Sequence, residues 1–544
     1  MRTIPPRRHP EVRWLAVVLA ALAGLLLADC SRRQADPSGF LRVRLRHDPP
    51  TLDPALSHDS SSEAVLAPLF EPLVRADPAT LEIRPALAQH WEVSPDGRTY
   101  TFHLREGALF HHGRAVEAAD VVYSLLRLLR YDRPSPGAEL LDPVLGAKDF
   151  GAAHEKRLPG LEAIDSHTVR IRLMQPYSPF LSRLTAVHAS IVPRDRYEDP
   201  DENYLRGPIG SGPFKFVEWK SAQSLKLARF EEYRPGPPAL AGIEFRIVED
   251  PAAALEEYRR GGLDILDELP PGAGASAAGE FGDEYKIWPL LGGNNLVFNL
   301  AAPPLAGNVN LRRALNLAVD RQRICEQVFS GLPRPSSGIL PQGMPGFDGS
   351  RPPYGEDLAA ARRLLAQAGF PEGKGLPPLV LLFNTNPNIQ RLAEQVQIDL
   401  ARIGVRLELR SADGPAFLQS LASGQFGGRP FHMIRLGWAA DYPDPDAFLG
   451  TLLHSRNAGM AGNFARYRDK GVDALIDEAR RTLDASRRTR IYRDIEKLAA
   501  DRDACWLFLT FQRDEALIAK HVRGVVPVVR GDWFLPYDRL SLAP

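Results

Sequence analysis

The chain is poor in cysteine, with three in 544 residues, at positions 30, 325 and 505. So few exclude a disulfide framework and a cysteine-built zinc cluster. A surplus of charge of one sign is also missing, since Lys+Arg and Asp+Glu are 67 each. Nucleic-acid binders draw affinity from cationic groups that displace counterions, so this balance speaks against that class. No apolar run reaches the roughly 20 residues of a bilayer-spanning helix. Short catalytic signatures are absent too. Gly210-Ser211-Gly212 lacks the spacing of a nucleophile elbow. Gly373-Lys374 has neither the earlier glycine nor the following Ser or Thr of a phosphate loop. His111 and His112 are adjacent and would point apart on a regular element, a poor metal pair. Asp441, Asp444 and Asp446 lie in one run, without the glycine turn and terminal glutamate of a calcium loop. No catalytic residue, cofactor or metal is expected.

What is present begins at the N-terminus. Arg2, Arg7, Arg8 and Arg13 precede an apolar run from Leu15 to Ala28. That length behind a positive flank is the pattern of a secretory signal peptide. The run ends in Leu27-Ala28-Asp29-Cys30, which resembles a bacterial lipobox with Cys30 as the lipidated residue. Asp29 departs from it, because a small residue usually precedes the cysteine. An uncleaved anchor, or cleavage elsewhere, is the alternative. The expectation is a signal peptide over 1–29 and a lipid-anchor tether over 30–37. The rest would be soluble and extracytoplasmic, in a periplasm or at a membrane surface. Cys325 and Cys505 are either bridged after export or two small buried side chains.

Further on, Leu41, Val43 and Leu45 alternate with arginines, as in a half-buried strand. Tyr100, Phe102 and Leu104 alternate likewise after the turn Ser94-Pro95-Asp96-Gly97. Leu358, Ala361 and Leu365 share a helix face, with Gly369 placed to stop it. Ile389, Leu392, Val396, Leu400 and Ile403 repeat that spacing up to Gly404, after which Val405, Leu407 and Leu409 start a strand. Helices alternating with strands predict an α/β fold. At this length two or three domains are expected.

Five segments in series resemble the family 5 bacterial extracellular solute-binding proteins, the dipeptide/oligopeptide-binding receptors of ABC transporters. They are DPPTLDPALSHDSSSEAVLAPLFEPLV (48–74), PALAQHWEVSPDGRTYTFHLREGALFHHGRAVEAADVVYSLLRL (85–128), GPIGSGPFKFVEW (207–219), NNLVFNLAAPPLAGNVNLRRALNLAVDRQRI (294–324) and GWAADYPDPDAFL (437–449). The resemblance implies a two-lobed periplasmic binding protein fold, of the large type with an extra inserted subdomain and a ligand cleft between the lobes. On this chain it places the core of lobe I at 38–75, 200–293 and 516–544, the inserted subdomain at 76–199 and lobe II at 294–515. The crossings near 294 and 515 would be the hinge.

The resemblance also implies a role: capture of a peptide by lobe closure and delivery to an ABC permease and ATPase complex. The receptor would be a monomer, without nucleic-acid partners and held at the membrane by its lipid. An enclosed extended peptide needs every backbone polar group paired and a counter-charge for its α-ammonium. In the resembled receptors the carboxylate of the GW-x-x-D segment supplies that charge, which here is Asp441, while the backbone of Gly437, Trp438 and Ala439 pairs with the peptide. Asp441 otherwise caps the turn before Pro443. Trp438 is either a wall for a ligand side chain or core packing. Arg435 matches an arginine that meets a short peptide's carboxylate, and His58, Asp59 and Ser60 correspond to a loop lining the cleft. Phe383 stands where dipeptide-type receptors carry an arginine, which argues for oligopeptides over strict dipeptides. The family also takes metal chelates, haem, sugars and antibiotics, so a non-peptide solute is the alternative ligand. An exported enzyme, or a binding protein without a dedicated importer, are rival readings.

Overall fold

The computed structural model describes residues 38–130, 135–153, 157–197, 207–234, 236–459, 462–526, 529 and 535–543. Cys30, the signal peptide over 1–29 and the tether over 30–37 lie outside the described residues.

Two long strands organise the chain. Tyr285–Phe298 and Trp506–Ile518 run antiparallel and pass from one half of a large mixed sheet into the other. At one end, Ile265–Leu266 pairs with the second of them. Beyond it lie Phe40–Leu45, Gly242–Ile247, Ser224–Arg229 and Phe214–Lys220, in that order. At the other end, Met433–Ala439 pairs with Gly292–Phe298, followed by Leu379–Asn384 and Leu407–Ala412. Between the halves the register slips: Pro289 pairs with Arg513 and Gly293 with Phe511, leaving Leu290, Leu291 and Gly292 against Gln512 alone. An irregularity of this kind bends and twists the paired strands.

The second half of the sheet is buried on both faces. Met433, Phe383, Leu381 and Leu507 point into a core shared with the helices Val309–Ala318, Leu358–Gln367 and Pro387–Ala401. Ile434, Leu436, Leu382 and Phe508 point the other way, into a core shared with Lys470–Arg481 and Ala485–Glu496. The helices form where the apolar spacing predicts. Ala361 and Leu365 are buried, as are Ile389, Leu392, Val396 and Leu400, and Gly369 and Gly404 both take the positive φ that ends a helix. Side chains cap the starts: Asp357 accepts from Ala360 N, and Asn386 from Asn388 N and Ile389 N.

A separate four-stranded antiparallel sheet, ordered Ala88–Val93, Thr99–Leu104, Thr168–Arg172 and Leu161–Ala163, has its own apolar core around Tyr100, Phe102, Val169 and Ile171. One face covers that core and the other faces solvent. Cys325 and Cys505 are free buried thiols, with no bridge between them. Among the described residues no helix is long and apolar enough to cross a membrane.

Candidate functional site

The strand Met433–Ala439 sits at the junction of the two sheet halves. Its backbone pairs with Gly292–Phe298, and one residue past its end Ala440 N donates to Leu291 O at 2.9 Å. The strands crowd here: a Cβ on Gly292 would lie 2.6 Å from Gln512 Oε1 and 2.9 Å from the Trp438 carbonyl oxygen. Only glycine permits that approach. The backbone from Gly437 to Ala440 is therefore anchored to the segment where the long strands slip.

Side chains alternate along this strand. Ile434, Leu436 and Trp438 point to one core, and the Trp438 indole N–H donates to Ala447 O at 3.0 Å. The indole is thus packed at the edge of the core. Arg435 and Gly437 share the other face, since a Cβ on Gly437 would lie 3.1 Å from an Arg435 guanidinium nitrogen. Ala439 and Asp441 are exposed at the end of the run.

Arg435 is held but not neutralised. It donates to Asn294 Oδ1 and, at 3.5 Å, to Asn384 Oδ1, while its Nε is buried without a partner. Among the described residues no carboxylate pairs with it, and burial lowers its pKa to about 10. A half-buried cation without a counter-charge is costly unless something supplies one. Asn294 and Asn384 escaped the sequence reading; Asn294 stands in one of the five quoted segments, but nothing in its spacing marks it as an arginine partner. Phe383, next to Asn384, is 1% exposed and turned into the core, so no cation stands at its position.

The loop before the first long helix is placed differently. Asp59 caps Ser60–Leu69, with its carboxylate accepting from Ser62 N at 2.9 Å and Ser62 Oγ at 2.6 Å. That carboxylate is engaged by its own helix. His58 is exposed, with Nδ1 3.2 Å from Leu56 O. Ser60 lines a cavity of about 200 Å³ together with Arg44, Arg46, Asp267, Leu290 and Asp514. Leu290 precedes the residue that receives Ala440, so this cavity and the Gly437–Asp441 segment adjoin the same stretch of strand.

The other motif candidates are structural. His111 is half-buried, with Nδ1 accepting from Gly210 N at 3.2 Å and Nε2 3.1 Å from Gly212 O; desolvation pushes its pKa down to about 4. Asp444 and Asp446 are buried against arginines: Arg488 reaches Asp444 at 2.5 Å and Arg480 reaches Asp446 at 2.7 Å.

Two sheet halves joined by two slipped strands, with a cavity and polar residues at the join, are the layout of a two-lobed protein. The comparisons with known proteins give the family. The family model described as Bacterial extracellular solute-binding proteins, family 5 Middle, matches residues 82–460, and the chain belongs to that family. It is 31% identical to a probable di/tripeptide-binding protein 5 of Pseudomonas aeruginosa, over 96% of this chain and 97% of that one. It is 30% identical to the heme-binding protein A of Haemophilus influenzae, over 89% and 88%. Among solved structures, the unliganded open form of the periplasmic murein tripeptide-binding protein MppA superposes with a TM-score of 0.80 at 25% identity, covering 94% of this chain and 99% of that one. The fold is accordingly the two-lobed periplasmic binding protein fold. The family consists of extracytoplasmic solute-binding proteins of ABC transporters, not of enzymes.

Proposed function

We propose that this protein captures peptides, oligopeptides rather than dipeptides alone, by closing its lobes, and delivers them to an ABC permease and ATPase complex. The observation that carries the reading is Arg435, a half-buried guanidinium beside the Gly437–Asp441 segment, solvated by two asparagines and without a counter-ion among the described residues. A peptide carboxylate supplies the missing charge, and the exposed Asp441 supplies one for the peptide's α-ammonium. The Gly437–Ala439 backbone pairs with Gly292–Asn294 along one edge, and its other edge offers pairing that does not depend on peptide sequence. The apolar, buried Phe383 leaves no cation to fix a dipeptide's length. His58 and Ser60 line the cleft, and Asp59 orders their loop by capping the helix.

In this reading lobe I comprises 38–75, 200–293 and 516–544, the inserted subdomain 76–199 and lobe II 294–515. The slip between Pro289 and Gly293 is the flexing point of the hinge, a form of closure known for periplasmic binding proteins. Lipidation of Cys30 holds the receptor, a monomer, at the membrane. The likeness to a heme-binding protein favours haem as the second reading.

Titration calorimetry with trialanine and its N-acetylated form tests the assignment. Asp441→Asn is expected to weaken trialanine by about 2–4 kcal/mol, because an ammonium would be left enclosed without its partner. The acetylated peptide should lose about as much with the unaltered protein. Equal affinity of trialanine for both proteins removes Asp441 from the role.

A further inference from the structure

We propose that the inserted subdomain carries a divalent transition-metal site made of His90, Glu92 and His103, on the solvent face of its four-stranded sheet. The ligand-capable atoms of these three residues all lie within 4.8 Å of one another. His90 and His103 are directly opposed across an antiparallel pair, and Glu92 lies two residues on from His90, on the same face.

The arrangement depends on a local device. Ala88 pairs with Leu104, but His90 pairs with His103, so Gln89 is an extra residue in its strand. Without it His90 would oppose the buried Phe102 and face the core. The bulge turns His90 outward, over His103; bulges commonly re-aim side chains in this way. The imidazoles now stack with centroids 4.4 Å apart and planes 13° apart.

Among the described residues, neither imidazole nor the Glu92 carboxylate has a hydrogen bond or an ion pair. The cations next to them on this face, Arg170 and Arg172, both lie 3.7 Å from Glu162. His90 and Glu92 are therefore exposed, His103 is half-buried, and all three are uncommitted. Two imidazoles with one carboxylate suit Zn²⁺, Cu²⁺ or Ni²⁺, and not the all-oxygen shells of Ca²⁺ and Mg²⁺. A tetrahedral ion about 2.1 Å from each donor sets them roughly 3.4 Å apart. Rotation of the exposed His90 and Glu92 side chains toward His103 closes the difference, and solvent fills the remaining position. The sequence conceals the site because His103 stands far from the His-x-Glu pair and only the bulge aligns them.

Zn²⁺ titration of the purified, untagged full-length protein tests the proposal, with Ca²⁺ as control. One Zn²⁺ per chain is expected, no Ca²⁺ binding at this site, and at least a tenfold loss of Zn²⁺ affinity in His90→Ala and in His103→Ala. Glu92→Gln should weaken binding less, and His58→Ala should leave it unchanged. Cu²⁺ electron paramagnetic resonance should show two coordinated imidazole nitrogens in the unaltered protein and one in His103→Ala. Absence of saturable Zn²⁺ binding, or binding indifferent to both histidine substitutions, overturns the site. None of the three side chains belongs to the buried core, which favours folding of the variants, and far-ultraviolet circular dichroism checks it.

Discussion

Tyr177 and Asp446 meet between the inserted sheet's core and the second half of the molecule, the tyrosine hydroxyl donating to the carboxylate at 2.7 Å. Tyr442 donates to the same oxygen at 3.0 Å, and Arg480 pairs with the carboxylate at 2.7 Å. Ser178 N also donates to Arg480 O at 2.7 Å, so backbone reinforces the contact. Burial alone would raise the Asp446 carboxyl; Arg480, the Tyr177 hydroxyl and the nearby Arg183 outweigh it and hold the group below the usual carboxylate range.

This contact ties Tyr177 and Ser178, beside the four-stranded sheet, to Asp446 and Arg480 through side chain and backbone. Asp446→Asn leaves Arg480 buried without its counter-charge and is expected to cost about 3–5 kcal/mol. Tyr177→Phe removes one hydrogen bond to a charged acceptor and should cost about 1.5–3 kcal/mol. Urea unfolding of both variants measures this, and a loss below 0.5 kcal/mol in each, of the order of an ordinary surface change, would contradict the role.

Arg435 should behave in the opposite way. Its guanidinium has no buried carboxylate to abandon, so Arg435→Met is expected to leave stability unchanged or slightly higher. Binding of trialanine should weaken about 10- to 100-fold, matching a lost charge-assisted hydrogen bond, while a C-amidated tripeptide should bind both proteins alike. Denaturant unfolding and calorimetry separate the two effects.

Glu71 provides a pH signature. It accepts from the Tyr233 hydroxyl at 2.8 Å beside a cavity of about 160 Å³, and burial pushes its pKa up to about 7. In the unfolded chain a glutamate titrates near 4.3. Between these values the folded protein holds more protons, so stability falls as pH rises from about 4.3 to 7. Glu71→Gln keeps an acceptor for Tyr233 and removes the titration. The difference in melting temperature, variant minus unaltered protein, should therefore grow by about 2 °C from pH 5 to pH 8. A difference that stays flat across that range contradicts the raised pKa.

The fold was legible where apolar period and punctuation agree. Leu358–Gln367 and Pro387–Ala401 follow the 3.6 spacing up to glycines with positive φ, and Thr99–Leu104 follows the alternation of a half-buried strand, whereas in Phe40–Leu45 Arg44 is buried as well as Leu41, Val43 and Leu45, since Asp267 and Glu268 pair with it. The two-lobed architecture was legible through the five family segments. The polar framework was not. Tyr177 and Asp446 are 269 residues apart and Arg435 and Asn294 are 141 apart. Such pairs arise from topology and leave no local pattern. The acidic run Asp441 to Asp446 shows the same limit: it looks uniform in sequence, yet the fold exposes Asp441 and buries Asp444 and Asp446 against arginines. Likewise the pairing of His90 with His103 depends on a one-residue bulge that no propensity marks.

The measurement that tests peptide capture most directly is native mass spectrometry of the protein isolated from a periplasm, with the bound material released and sequenced. A series of adduct masses that resolve into peptides of several residues is expected, and their loss in Asp441→Asn. A single adduct with the mass of a haem, or of another non-peptide solute, would contradict peptide capture.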